Sequence, residues 1–191
     1  MRSIFKFLYP TVVLAAICLI VSLALSSTDM ITKGRIAKIE AENTNKAMKR
    51  VLAADEYNKK TVDDAEYYEA VTDGNIKGYI FTTSANGYGG EVKVMTAILP
   101  DKTVKAVEIL DVSNETPGLG QNSKKESFYT QFTGKTNGVT AVKSGADGEN
   151  NEINAVTGAT ITSRAVTKAV NEALELCEKI GTEMEGTENE K

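Results

Sequence analysis

The sequence predicts an α+β chain: an N-terminal transmembrane helix, a stalk helix, then a small antiparallel-sheet domain with packed helices. Three observations carry this prediction. An uncharged run extends from Phe7 to Thr28. Strand-like segments flank short turns between Asn75 and Val112. Apolar residues recur at helical spacing from Val166 to Ile180. No strand–helix alternation of the parallel α/β kind occurs.

The first element follows from length. At about 1.5 Å per residue, Phe7–Thr28 crosses a hydrocarbon core of roughly 30 Å. The expected transmembrane helix is Leu8–Leu25, after a short flank over residues 1–7. Pro10 sits near its start, where a helix tolerates proline. A cleaved signal peptide is the rival reading, with Ser22-Leu23-Ala24 as a weak cleavage sequence. A lipoprotein signal would use Cys18, but Ile17 before it is too large. The apolar run is long for a signal peptide, so the retained anchor is preferred. Arg2 and Lys6 precede it; Lys33, Arg35 and Lys38 follow, diluted by Asp29, Glu40 and Glu42. The positive-inside rule leans slightly toward a cytoplasmic N-terminus.

Residues 26–72 are expected to form a stalk or packing helix region. Ile36, Ile39, Ala47, Met48, Val51 and Leu52 lie near helical spacing within 29–54. Residues 73–180 form the expected folded domain. Asp73-Gly74 is a turn pair before the strand Asn75–Ser84. Glu91–Leu99 and Thr103–Val112 flank Pro100-Asp101-Lys102 and predict an antiparallel hairpin. Lys124–Phe132 suggests a short helix with Phe128, Tyr129 and Phe132 apolar. Gly134–Asn151 reads as a long loop or hairpin. The last helix carries Val166, Ala169, Val170, Ala173, Leu174, Cys177 and Ile180 on one stripe. Ser163 or Thr162 is its expected N-cap, and Gly181 its stop. The acidic tail 181–191 is expected to be disordered.

Composition excludes several functions. The formal net charge of -4 argues against nucleic-acid binding. The chain contains 0 histidines, which removes Ser-His-Asp and Cys-His catalysis and His-ligated metals. Its 2 cysteines cannot build a zinc or iron–sulfur site. No catalytic residue and no metal site are expected. Redox chemistry would need an imported cofactor.

Three short stretches stand out. Gly87-Tyr88-Gly89-Gly90 could be a hairpin turn. Glu115-Thr116-Pro117-Gly118-Leu119-Gly120 could be a turn, or a loop whose backbone approaches a flat ligand. Thr157-Gly158-Ala159-Thr160 precedes the last helix. Capping explains hydroxyls there. A helix N-terminus also favours phosphate, held noncovalently or as an ester of a threonine. A threonine hydroxyl is a weak nucleophile without a base, so modification would need a second enzyme.

Together and in this order, behind one anchor, the three stretches resemble the covalent FMN-binding domain family. That family includes the G subunit of the Rnf electron-transport complex and the C subunit of the sodium-pumping NADH:quinone reductase. The resemblance covers roughly Asp73–Ile180. It implies FMN joined by a phosphoester bond to Thr160, after a motif formed by Thr157, Gly158 and Ala159. It implies that Glu115, Thr116, Pro117, Gly118, Leu119 and Gly120 line the flavin, with Gly89 and Gly90 nearby. It implies maturation by a flavin transferase that takes FMN from FAD with a divalent metal. The family usually has Asp where this chain has Asn154, and often a polar or His residue where it has Asn114.

The chain's length favours the G subunit. The resemblance then implies an electron relay in a complex coupling ferredoxin and NAD to ion movement. Other membrane subunits would be its partners, and its FMN domain would lie outside the cytoplasm. The C subunit of the sodium-pumping reductase, a stand-alone flavin carrier and a non-redox extracytoplasmic binding module are the alternatives.

Overall fold

The computed structural model describes residues 2–146 and 150–188. The chain divides into two compact units, Met1–Asn45 and Lys46–Lys191.

One uninterrupted helix, α1 (Arg2–Val51), contains both expected N-terminal helical segments. It is long and apolar enough to cross a membrane. Val12, Leu14, Ile17, Leu19, Ile20 and Leu23 are all exposed along it. A solvated protein rarely leaves so much apolar surface uncovered, whereas lipid covers it at no cost.

The second unit is built on a five-stranded meander in the order β1-β2-β3-β4-β5, every pair antiparallel. The strands are β1 (Glu56–Val62), β2 (Ala65–Thr72), β3 (Asn75–Asn86), β4 (Glu91–Ile98) and β5 (Val104–Asp111). The expectation of a helical region over 26–72 is corrected: the helix ends at Val51, and Glu56–Thr72 forms two strands. Their turn is Asp63-Asp64, with φ of 45° and 63°. Two positive-φ residues between paired strands make the tight hairpin that matches strand twist. Asp tolerates that conformation, so no glycine advertises the turn. The turn Asp73-Gly74 repeats the pattern, with φ of 51° and 77°.

Strand alternation gives the sheet two buried faces. Tyr79 and Phe81 point into the larger core, with Val94, Ile98, Val107 and Ile109. Ile80, Met95 and Ala97 point the other way, against Ala47, Met48, Val51 and Leu52 at the end of α1. Arg50 Nε donates to both Glu108 carboxylate oxygens at 3.0 and 2.9 Å on that second face.

The larger core is covered by α3 (Thr160–Glu188), whose predicted stripe is buried throughout, Val166 to Ile180. The helix continues beyond Gly181, which is not its stop. One helical glycine costs only about 1 kcal/mol, and Glu183, Met184 and Glu185 favour helix. Residues 189–191 of the expected tail lie outside the described residues. Thr83 Oγ1 donates to the Ala169 carbonyl at 2.8 Å, pinning β3 to α3.

Between sheet and helix lies the connection that makes the site. A 3-10 turn (Gly120–Lys124), α2 (Glu126–Tyr129) and a second 3-10 turn (Thr130–Phe132) replace the single expected helix. Phe128 and Phe132 are buried, their rings edge-on at 5.8 Å. The stretch expected as a loop or hairpin yields β6 (Thr140–Val142), which pairs in parallel with β7 (Glu152–Asn154).

Candidate functional site

The three motifs converge at the N-terminus of α3. The β3–β4 turn carries Gly87–Gly90, closed by a bond from Gly87 N–H to the Gly90 carbonyl at 2.7 Å. Residues 112–120 fold back beneath it after β5. Leu119 N–H donates to the Thr116 carbonyl at 3.1 Å. Pro117 and Gly118, the latter at φ 75°, occupy the middle of that turn, the pattern of a type II turn. The third motif reverses at Gly158, with φ 76°, and enters α3 at Thr160. A Cβ at Gly158 would also lie 2.9 Å from Leu119 Cδ2.

These segments enclose a cleft of about 590 Å³, lined by Tyr88, Glu115, Thr116, Leu119, Gly120, Gly158, Ala159, Thr160, Ile161 and Thr162. That volume falls in the range of roughly 300–1,000 Å³ typical of small-molecule sites. Tyr88 and Ile161 are more than half exposed beside it, offering apolar surface to a flat ring.

The hydroxyls at the helix start divide by their bonds. Thr162 Oγ1 donates to Glu115 Oε2 at 2.6 Å. Ser163 Oγ accepts from Val156 N–H at 2.9 Å and donates to the Ala159 carbonyl at 3.0 Å. Neither is the N-cap, because the helix begins at Thr160 and both already lie in its first turn. Among the described residues, Thr160 makes no side-chain hydrogen bond, and it lines the cleft half-buried. The first-turn N–H groups of a helix have no intrahelical acceptor, so an anion beside Thr160 would meet donors and a positive dipole end.

Glu115 is 2% exposed, and both of its carboxylate oxygens are engaged. Oε1 accepts from Gly89 N–H at 3.0 Å, and Oε2 accepts from Thr162. Gln121 Nε2 donates to the Glu115 carbonyl at 3.0 Å.

Comparison with known proteins agrees with this geometry. Residues 87–175 match the family described as FMN-binding domain. The G subunit of the proton-translocating ferredoxin:NAD(+) oxidoreductase complex of Clostridium ljungdahlii is 38% identical, over 83% of this chain and 84% of that protein. The chain belongs to this family of G subunits. The G subunit of the Na(+)-translocating ferredoxin:NAD(+) oxidoreductase complex of Acetobacterium woodii is 31% identical, over 88% and 90% of the two chains. The C subunit of the Na(+)-translocating NADH-quinone reductase of Parabacteroides distasonis is a solved relative with a TM-score of 0.52 and 26% identity. That match takes in 60% of this chain and 61% of the solved one, less than two thirds of its length.

Against the expected flavin-lining set, the cleft gathers Glu115, Thr116, Leu119, Gly120, Gly158, Ala159 and Thr160. Pro117 and Gly118 do not line it; they shape the turn behind. Gly89 and Gly90 do not line it either. A Cβ on Gly89 would strike the Asn114 carbonyl, and one on Gly90 would lie 2.9 Å from Asn114 Cβ. These glycines let the β3–β4 turn rest on residues 114–115. Thr157 faces a separate polar hollow of about 340 Å³ with Asn122, Lys125, Gln131 and Asn154. Asn154 is tied into the fold there: Oδ1 accepts from Ala146 N–H at 3.1 Å, and its own N–H donates to Gln131 Oε1 at 2.8 Å. Ile161 and Thr162 were not among the expected site residues. Thr162 sits two residues after Thr160, and only its spacing from Glu115 in space, not in sequence, reveals it.

Proposed function

We propose that this chain is a membrane-anchored electron-relay subunit of an Rnf-type ion-translocating ferredoxin:NAD oxidoreductase complex, carrying FMN as a phosphoester of Thr160. One observation carries the assignment of the attachment point. Of the hydroxyls at the start of α3, Thr160 lines the cleft with its oxygen uncommitted, whereas Thr162 and Ser163 are spent on internal bonds. The cleft's size, its apolar flanks and the glycine-made close approaches suit a flat ring with a phosphate tail.

FMN, when bound, would supply one- and two-electron transfer. The protein's own residues have simpler tasks. Thr160 tethers, the first turn of α3 offers N–H donors to the phosphate, and Tyr88, Leu119 and Ile161 flank the cleft. Attachment forms an Oγ–P bond on Thr160 and breaks the anhydride of FAD, releasing AMP. The threonine proton passes to a base on the flavin transferase. Within the protein, Glu115 accepts hydrogen bonds from Thr162 and Gly89. The chain has no complete active site of its own and works with other membrane subunits. Residues 8–25 anchor it with a cytoplasmic N-terminus, and residues 73–180 carry the flavin outside the cytoplasm.

The test uses protein from the native host, denatured and separated on a gel. The band fluoresces as flavin, and a Thr160→Ala band stays dark. A fluorescent Thr160→Ala band would overturn the attachment point. A dark wild-type band, of bare-chain mass, would favour a non-redox binding module.

A further inference from the structure

The glycines around Glu115 have a common purpose. A Cβ on Gly87 would collide with Glu115 Oε1. A Cβ on Gly120 would lie 2.5 Å from Glu115 Oε2 and 2.8 Å from Thr162 Oγ1. Gly89 supplies the N–H that Oε1 accepts. Two glycine-bearing motifs are therefore carved to seat one buried carboxylate, and the first turn of α3, which begins at the end of the third motif, reaches it through Thr162. No Lys or Arg ion pair to Glu115 occurs among the described residues. A buried carboxylate that spends both oxygens on such bonds is costly to disturb, because each freed partner is left unsatisfied.

We propose that Glu115 is a positioning residue of the flavin site: through Gly89 and Thr162 it locks the β3–β4 turn and the 115–120 loop to the first turn of α3, and so sets the orientation of the group carried by Thr160. The proposal rests on Thr160 as the flavin-bearing residue. It assigns Glu115 a role through other residues. Thr162 shares a helical turn with Thr160. When the Glu115–Thr162 bond is intact, the cleft wall and the tether move as one body. When it is cut, the tether remains but the wall no longer follows it.

The full-length chain, co-expressed with a flavin transferase, provides the test. Intact mass reads loading, thermal melting reads the fold, and visible-region circular dichroism reads how the asymmetric site holds the flavin. Thr162→Val and Glu115→Ala are expected to gain the mass of FMN less water yet lose the visible dichroism. The double variant is expected to lose no more than either single one. Glu115→Gln and Thr162→Ser keep partners for both bonds and are expected to retain the signal. An unchanged signal in Thr162→Val and Glu115→Ala overturns the proposal. So does a signal lost in Glu115→Gln as fully as in Glu115→Ala, which would assign the effect to charge. If Glu115→Ala fails to melt cooperatively, Thr162→Val, which removes one bond and little volume, decides alone. A wild-type chain that stays at bare mass overturns the Thr160 reading first, and this proposal with it.

Discussion

Two hollows flank the first half of α3. The larger, about 820 Å³, is lined by Val139, Thr140, Ala141, Arg164, Thr167, Lys168, Asn171, Glu172 and Glu175. The smaller, about 590 Å³, holds Thr160. Size favours the first as a ligand site, and chemistry favours the second. The larger hollow is walled by solvated charges of both signs from one helix face. Its deepest polar groups serve the fold: Asn171 Oδ1 accepts from Val139 N–H at 2.9 Å, and Thr167 Oγ1 donates to the Ser163 carbonyl at 2.9 Å. The smaller one has walls from three distant segments, glycines at the contact points, and an uncommitted hydroxyl. A functional cleft is recognised by what converges on it and by what its groups are still free to do.

The contrast can be broken most severely at Gly120. Gly120→Val places atoms where Glu115 and Thr162 already meet. Overpacking of that kind costs about 1–3 kcal/mol, visible as a lower Tm, and flavin loading should fall with it. Gly158→Ala should cost less, about 1–2 kcal/mol for a left-handed backbone, because the flexible end of Leu119 can yield to the new methyl. A Tm unchanged in Gly120→Val would show that the Glu115 seat is not tight.

Burial pushes the Cys177 thiol up to about 11 from an ordinary 9.0. The folded state thus holds that proton more tightly than the unfolded one. Its stabilising contribution is complete below pH 9 and declines as pH rises through about 11. Chemical denaturation across that range should show the decline, and Cys177→Ala should lessen it, the share of Tyr79, also raised by burial, remaining. Arg164→Ala and Lys168→Ala, in the larger hollow, should change stability by no more than about 0.5 kcal/mol and leave loading by the transferase intact. Loss of loading in either would move the candidate site.

Much of this was legible before folding. The three motifs, the strands from Asn75 to Val112 and the α3 stripe all rest on local signals: turn residues, alternation and helical period. What was not legible depends on contacts distant in sequence. The strand β1 reads Glu-Tyr-Asn-Lys-Lys-Thr-Val, a polar edge with almost no alternation. It is a strand because β2 pairs with it. The parallel partners β6 and β7 are three residues each, too short for any pattern. Pro117 and Gly118, expected to line the flavin, and Gly89 and Gly90, expected nearby, shape turns and the seat of residues 114–115 and do not line the cleft. The role of Thr162 depends on a partner 47 positions away. Capping, a local rule, was the only signal the sequence offered for it.

One covalent bond, from Thr160 to the phosphate of FMN, decides between a flavin carrier and a bare binding module. Intact-mass analysis of the full chain, co-expressed with a flavin transferase, measures it directly. Wild-type protein should gain the mass of FMN less water, with the added mass mapping to the peptide that contains Thr160, and Thr160→Ala should remain at bare mass. Wild-type protein at bare mass, or the adduct persisting in Thr160→Ala, would contradict it.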